Sequence, residues 1–268
     1  MFKKVFSILS VLCLSFVSTI FPNQQKQSYY CDSYSGFGEG AVSHTEVVDY
    51  ESYTMEDSHL EYFFPDYEAS YGSNCCAPTA GSMLITYHDV MFTELLPDYT
   101  PGSFKNGIYK YRPQNMTIGN LMVEMYNLMG TNSVQPGTSV SQFKSGMTAY
   151  YNNHGYNIGF SKVTNLSASN FKNLIEQQNP IVLFLNSYDY YASIGVSISD
   201  TQMRMVGTMK SVGHVVVAWG FRTYNYYMNG SIFKTSKFLI VSFGDGTCGY
   251  MAIENPGYID EAYITTVS

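Results

Sequence analysis

The spacing of apolar residues changes character along the chain. Behind Lys3 and Lys4 runs an apolar segment from Val5 to about Phe21, broken only by small Ser and Thr. From Gln27 to Ser70 the periodicity is weak. This stretch is acidic, from Asp32 to Glu68, and carries no Lys or Arg. It reads as an extended arm with one strand around Glu46–Tyr50. Helical spacing takes over at Cys76, where Ala80, Met83, Leu84, Tyr87 and Met91 recur, predicting a mostly buried helix to about Val90. Leu95 to Pro113, with Pro97, Pro101, Gly102 and Gly107, reads as a loop. Further helices are expected at Ile118–Met129, behind Thr117 and ahead of Gly130, and at Ser139–Asn153. A strand at Tyr156–Val163 precedes a helix at Asn170–Gln178, capped by Ser167 or Ser169 and stopped by Pro180.

Beyond Pro180 the pattern turns to period two and to continuous β runs. Strands are expected at Ile181–Asn186, Ile194–Ser199, Gln202–Met209, His214–Arg222, Ser231–Thr235, Phe238–Phe243, Tyr250–Ile253 and Ala262–Val267. Helices first and an antiparallel sheet second predict an α+β fold. There is no internal repeat and no linker long enough to separate independent domains. The chain therefore divides into a signal peptide at residues 1–22, an acidic arm or prosegment at 23–70, and one domain at 71–268.

Composition narrows the function classes. A net charge of −7 argues against nucleic acid as a partner, which would call for a basic footprint. The 25 tyrosines suit a surface that packs its rings while hydrating its hydroxyls. Lys3, Lys4 and the apolar run form the n- and h-regions of an export signal, so the protein is expected to be secreted or at the cell surface. No stable membrane insertion is expected after signal removal, with a retained N-terminal anchor as the alternative. Cys13 falls in that signal, leaving Cys31, Cys75, Cys76 and Cys248. Adjacent cysteines rarely bond each other without strain, so the pairing of Cys31, Cys75 and Cys248 stays open. No CxxC or HExxH motif is present, and no metal or cofactor is expected.

The chemistry concentrates at Asn74-Cys75-Cys76-Ala77-Pro78-Thr79, a loop that delivers a cysteine to a helix start. The positive end of the helix dipole stabilises a thiolate, and the N–H groups there can receive a developing oxyanion. A cysteine nucleophile needs a base, and the histidines differ as candidates. His44 and His59 lie in the acidic arm, and His154 sits at a helix stop. His88 is on the Cys76 helix but about 18 Å along it. His214 follows Gly213 and opens the buried strand Val215-Val216-Val217-Ala218-Trp219, so it can face a cleft from an anchored position. A buried cysteine is more often a small hydrophobe, and a lone core histidine is more often merely satisfied. Together, in this order, they point to a nucleophile and its base.

Cys76-Ala77-Pro78-Thr79-Ala80 resembles the Cys-Gly-Pro-Thr-Ala segment of papain-like cysteine peptidases, in the branch similar to bacteriocin-leader (double-glycine) processing peptidases. Gly213-His214-Val215-Val216-Val217-Ala218-Trp219-Gly220-Phe221 is similar to that branch's histidine strand. Phe238 to Gly246 resembles the strand after it, and Asn179-Pro180-Ile181-Val182-Leu183 a Gly-x-Pro-Val-x-Leu strand. Streptopain-like peptidases share the order. The resemblance covers about Asn74 to the C-terminus. It implies a papain-like fold, with Cys76 as nucleophile and His214 as general base and acid. Cys75 is the alternative nucleophile, without the following Ala-Pro-Thr match. The third residue departs from the pattern. Ser242 aligns with the family's Asn, and Asp245 in the glycine turn is the nearest carboxylate, so Asp245 is the expected orienting group and Ser242 the alternative. The family's oxyanion Gln has no counterpart in the several residues before Cys76, leaving Asn74 and the Cys76 backbone N–H as donors. The resemblance implies an exported peptidase acting on a peptide or protein substrate through a thioester, with no cofactor. A catalytically weak or inactive binding module of the same fold is the alternative, and a murein or isopeptide hydrolase a third reading. The oligomeric state is left open.

Overall fold

The computed structural model describes residues 28–30, 41–69, 72–253 and 256–268. The expected export signal, Cys13 and Cys31 lie outside them. In chain order the elements are β1 (Tyr29–Tyr30), β2 (Val42–Asp49), β3 (Ser52–His59), α1 (Cys76–Asp89), β4 (Gly102–Lys105), β5 (Ile108–Tyr111) and α2 (Met116–Leu128). Then come β6 (Thr138–Ser139), α3 (Val140–Asn153), β7 (Ile158–Lys162), α4 (Ala168–Glu176), β8 (Ile181–Leu185), β9 (Tyr188–Ser199) and β10 (Gln202–Lys210). The chain ends in β11 (His214–Met228), β12 (Ser231–Ser242), β13 (Cys248–Ala252) and β14 (Ile259–Val267).

The continuous apolar run of β8 leaves no polar face, so it is buried throughout and must be paired on both sides. It lies between β11 and β14 in an antiparallel sheet ordered β2-β10-β9-β13-β12-β11-β8-β14-β7, with β3 added to the far half of β11. Alternation of side chains then builds two cores. Val182, Phe184, Val215 and Val217 point to the face covered by α1, α2 and α3. Ile181, Leu183, Leu185, Val216 and Ala218 point to the face that packs on Phe171 and Ile175 of α4. The α+β layout is the expected one, with the helical part on an antiparallel sheet.

Helix α1 is buried along its whole length, between α2 and α3 on one side and β11 on the other. Two of its hydroxyls are satisfied locally: Ser82 and Thr86 donate to the carbonyls one turn back, at Pro78 and Ser82. At its far end His88 lies 2.6 Å by Nδ1 from the Tyr151 hydroxyl. Burial pushes the pKa of this imidazole down to about 3, so it stays neutral. Among the described residues no helix is long and apolar enough to cross a membrane.

Helix boundaries follow their caps. The Asn115 side chain accepts from Ile118 N, so α2 begins ahead of the expected Thr117 cap. Ser139 and Gln142 close a capping box on α3, and Ser167 caps α4. Several strands differ from expectation. Among its described residues the acidic segment holds three strands: β1 pairs with β6, β2 with β10 and β3 with β11. Strand β3 is exposed almost throughout and has no apolar face to reveal it. It is held by cross-strand pairs such as Arg222 with Asp57, opposite one another at 2.6 and 2.5 Å. The expected Leu95–Pro113 loop contains the β4–β5 hairpin, turned by Asn106 and Gly107, both at positive φ. Strand β12 is continuous where two short strands were expected, because Lys237 and Ser236 lie in register with Thr223 and Tyr224 of the long β11.

Close packing of α2 and α3 leaves no room at Gly146. A Cβ there would stand 2.8 Å from the Met129 backbone nitrogen and 2.6 Å from its Cγ. Helix propensity alone favours Gly146→Ala by about 1 kcal/mol. The clash with backbone reverses the sign, and we expect a net loss of roughly 1–3 kcal/mol in denaturant unfolding. A stabilised variant would contradict this packing.

Candidate active site

The site forms where the start of α1 meets the start of β11. Cys76 is the first residue of α1, and Cys75 is its N-cap. Cys75 does not cap with its side chain: its thiol donates back to the Gly72 carbonyl at 3.2 Å. No acidic residue occupies the first turn, so no carboxylate of the helix itself offsets the positive end of its dipole. In the first turn Pro78 carries no N–H and Thr79 N donates to the Cys75 carbonyl at 2.9 Å. Cys76 is buried, and its Sγ donates to the Tyr30 carbonyl at 3.9 Å.

The loop that delivers Cys76 is pinned by Asn132, a residue the sequence did not single out. Its Oδ1 accepts from Asn74 Nδ2 at 2.8 Å and from Gly137 N at 2.7 Å. Its Nδ2 donates to the Ser73 carbonyl at 3.1 Å and to the Tyr126 hydroxyl at 2.6 Å. Asn74 and Asn132 both adopt positive φ, 60° and 63°. Asparagine tolerates that backbone region better than most residues, and this was the available signal. The structure thus places the Asn74 amide against Asn132, with one of its hydrogens engaged there.

His214 opens β11 and is buried, its ring stacked on Tyr188 at 5.1 Å and nearly parallel to Phe243. Its Nε2 lies 3.0 Å from the Phe243 carbonyl. A carbonyl only accepts, so Nε2 carries the proton and the lone pair of the neutral ring falls on Nδ1. Phe243 follows the end of β12, so a main-chain group of the neighbouring strand orients the imidazole.

Asp245 and Ser242 bond elsewhere. Asp245 Oδ1 accepts from Thr247 N at 3.0 Å and from the Thr247 hydroxyl at 2.8 Å, closing its own turn. Ser242 is fully buried and donates to the Pro65 carbonyl at 3.1 Å. The hydrogen bond expected from Asp245 or Ser242 to His214 is made by the Phe243 carbonyl. The physical reason is the glycine turn. Gly244 and Gly246 take positive φ, 79° and 76°, and bend the chain so that Asp245 bridges to Glu68.

Two contacts bring the halves together. A Cβ on Gly244 would stand 3.2 Å from the Thr79 side chain, so the turn after Phe243 lies against the first turn of α1. Gly213 borders Tyr30 closely enough that a Cβ would be 3.3 Å from its Cα. The thiol of Cys76 and the backbone next to His214 therefore face the same residue from two sides. Among the described residues no group of His, Cys, Asp and Glu is placed to hold a metal ion.

The model of the peptidase C39-like family matches residues 47–240. The match takes in Cys76 and His214, begins within β2 and ends before Ser242 and Asp245. No curated protein matches the chain.

Beside the glycine turn, burial and then the charge of Asp245 push the pKa of Asp66 up to about 7. The folded chain thus holds this proton to higher pH than the unfolded chain. The stability that belongs to the neutral carboxyl is fully present only below the ordinary carboxylate range, near pH 4, and is lost as pH rises from there through about 7. Asp66→Asn removes that loss. We expect its Tm to exceed wild type by roughly 2–8 °C at pH 8, with the difference shrinking toward zero near pH 4. A difference independent of pH would contradict the assignment.

Proposed function

The chain belongs to the peptidase C39-like family, and on that premise we propose that it is an exported cysteine peptidase that hydrolyses peptide bonds through Cys76 and His214. The observation that carries the reading is the convergence of the Cys76 thiol and the start of β11 on one peptide segment, with a carbonyl presented to the thiol at 3.9 Å. The Cys76 thiolate attacks the carbonyl carbon of the substrate, and His214 holds the thiol proton on Nδ1. As the tetrahedral intermediate collapses, the C–N bond breaks and His214 passes that proton to the leaving amine. Water, deprotonated by the same nitrogen, then hydrolyses the thioester and restores the thiol. The Phe243 carbonyl acts as a positioning group that holds the proton on Nε2 and leaves Nδ1 for the thiol. The developing oxyanion is met by the N–H groups at the start of α1 and by the second hydrogen of the Asn74 amide. Export follows from residues 1–22, whose basic start and apolar core have the form of a signal peptide.

A second reading, a weakly active or inactive binding module, is favoured by one observation. His214 bonds a neutral backbone carbonyl, and Asp245 is committed to Thr247. A carbonyl stabilises an imidazolium less than a carboxylate does.

Alkylation near pH 6 separates the two. In the peptidase carrying Tyr30→Ala, which loosens the segment lying against the thiol, iodoacetamide or a thiol-directed epoxide labels Cys76 in preference to Cys75 and Cys248, at least about tenfold faster than a thiol in an unstructured peptide. His214→Ala returns Cys76 to the peptide rate, and Cys76→Ser abolishes hydrolysis of peptide substrates. A Cys76 that labels no faster than the peptide in the absence of a competing ligand favours the binding module.

A further inference from the structure

The segment that faces Cys76 belongs to this chain. Strand β1 lies antiparallel to β6, with Tyr29 opposite Ser139 and Tyr30 opposite Thr138. Its backbone is thus read by main-chain pairing, a mode of recognition that accepts an extended peptide whatever its side chains. On its other side runs Gly213, where only a hydrogen faces the segment and a Cβ would stand 3.3 Å from Tyr30 Cα and 3.4 Å from the Tyr29 carbonyl oxygen. The Tyr30 ring enters the core at 2% exposure, tilted against Phe184 at 5.1 Å. Its hydroxyl donates to Asp260 Oδ2 at 2.9 Å. Asp260 itself is exposed, at the start of β14. The carbonyl of the same tyrosine is the one that receives the Cys76 thiol.

We propose that the cleft between β6 and Gly213 is the acyl-side substrate groove, that it selects a tyrosine at the residue whose carbonyl meets Cys76, and that Tyr30 is its resident occupant. This assignment rests on the peptidase reading for its use, and on β1 for its geometry. Phe184 supplies the apolar wall, and Asp260 reads the phenolic hydroxyl at the mouth. A pocket built to bond a hydroxyl discriminates against the analogue that lacks it. Because Asp260 is exposed, water replaces the lost bond in part, and the preference for tyrosine over phenylalanine should be about tenfold rather than thousands. Residence of Tyr30 on the same chain gives it a high effective concentration, so a free peptide must displace it. The segment is therefore a built-in competitor, and its release exposes the thiol.

The full chain tests this by the rate of Cys76 alkylation with iodoacetamide, followed by peptide mapping. Tyr30→Ala should raise that rate about tenfold or more. In this background an acetylated peptide ending in tyrosine should restore protection, and the phenylalanine analogue should need about tenfold more. Adding Asp260→Ala should bring the two protecting concentrations together. Should Tyr30→Ala not fold, Asp260→Ala alone, at an exposed position, should still loosen the segment and speed alkylation several-fold. Unchanged alkylation in both variants, or equal protection by tyrosine- and alanine-ended peptides, would overturn the assignment. None of these readouts needs turnover. Selective protection without any hydrolysis would leave the groove and remove the peptidase reading, whereas hydrolysis without a tyrosine preference would remove the groove alone.

Discussion

Burial of α1 against β11 is the constraint on which the rest depends. A helix with no exposed face cannot rotate or slide without opening cavities, and losing even one buried Leu such as Leu84 would typically cost about 2–5 kcal/mol. Its first residue is therefore fixed relative to the sheet, and with it the Cys76 thiol. The opposite partner is equally fixed. Val215 and Val217 pack toward α1 while Val216 and Ala218 pack toward α4, so β11 is anchored on both faces and its first residue, His214, inherits that rigidity. The site is a seam between two cores, and nothing in it relies on a long loop for position.

Loop contacts refine what the cores set. Asn132 ties together Ser73, Asn74, Tyr126 and Gly137 and so stiffens the approach to Cys76. The Gly244–Gly246 turn does two things at once. It leaves the Phe243 carbonyl aimed at His214, and it carries Asp245 away to Thr247 and toward Asp66. A main-chain carbonyl thus orients the imidazole at Nε2. A neutral orienting group fixes the tautomer as well as a carboxylate does but stabilises the protonated ring less.

The long periodic elements were legible in the sequence because their physics is local. The apolar spacing of α1, the Ser167 cap of α4 and the continuous Ile181–Leu185 run all appear where expected. What was not legible depended on partners. Strand β3 has no apolar face and exists because β11 extends far enough to pair with it. The β4–β5 hairpin was signalled by Asn106-Gly107 between β-forming residues, a turn signal outweighed by the prolines and glycines around it. At the site, Cys76 at a helix start and His214 at a strand start were readable from their settings. The Phe243 carbonyl was not, since a backbone acceptor leaves no trace in side-chain identity. Tyr30 and Asp260 lie 230 positions apart in the chain, and only the fold brings them together.

The central claim is that Cys76 forms a covalent acyl intermediate, and trapping that intermediate tests it most directly. An activated ester of an acetylated tyrosyl peptide, mixed with the Tyr30→Ala chain and quenched in acid, is read by intact-protein mass and peptide mapping. The predicted result is an added acyl mass located on Cys76, released by hydroxylamine, absent in Cys76→Ser and strongly reduced in His214→Ala. A folded protein that gains no acyl mass, or that carries it on Cys75 instead, would contradict the account.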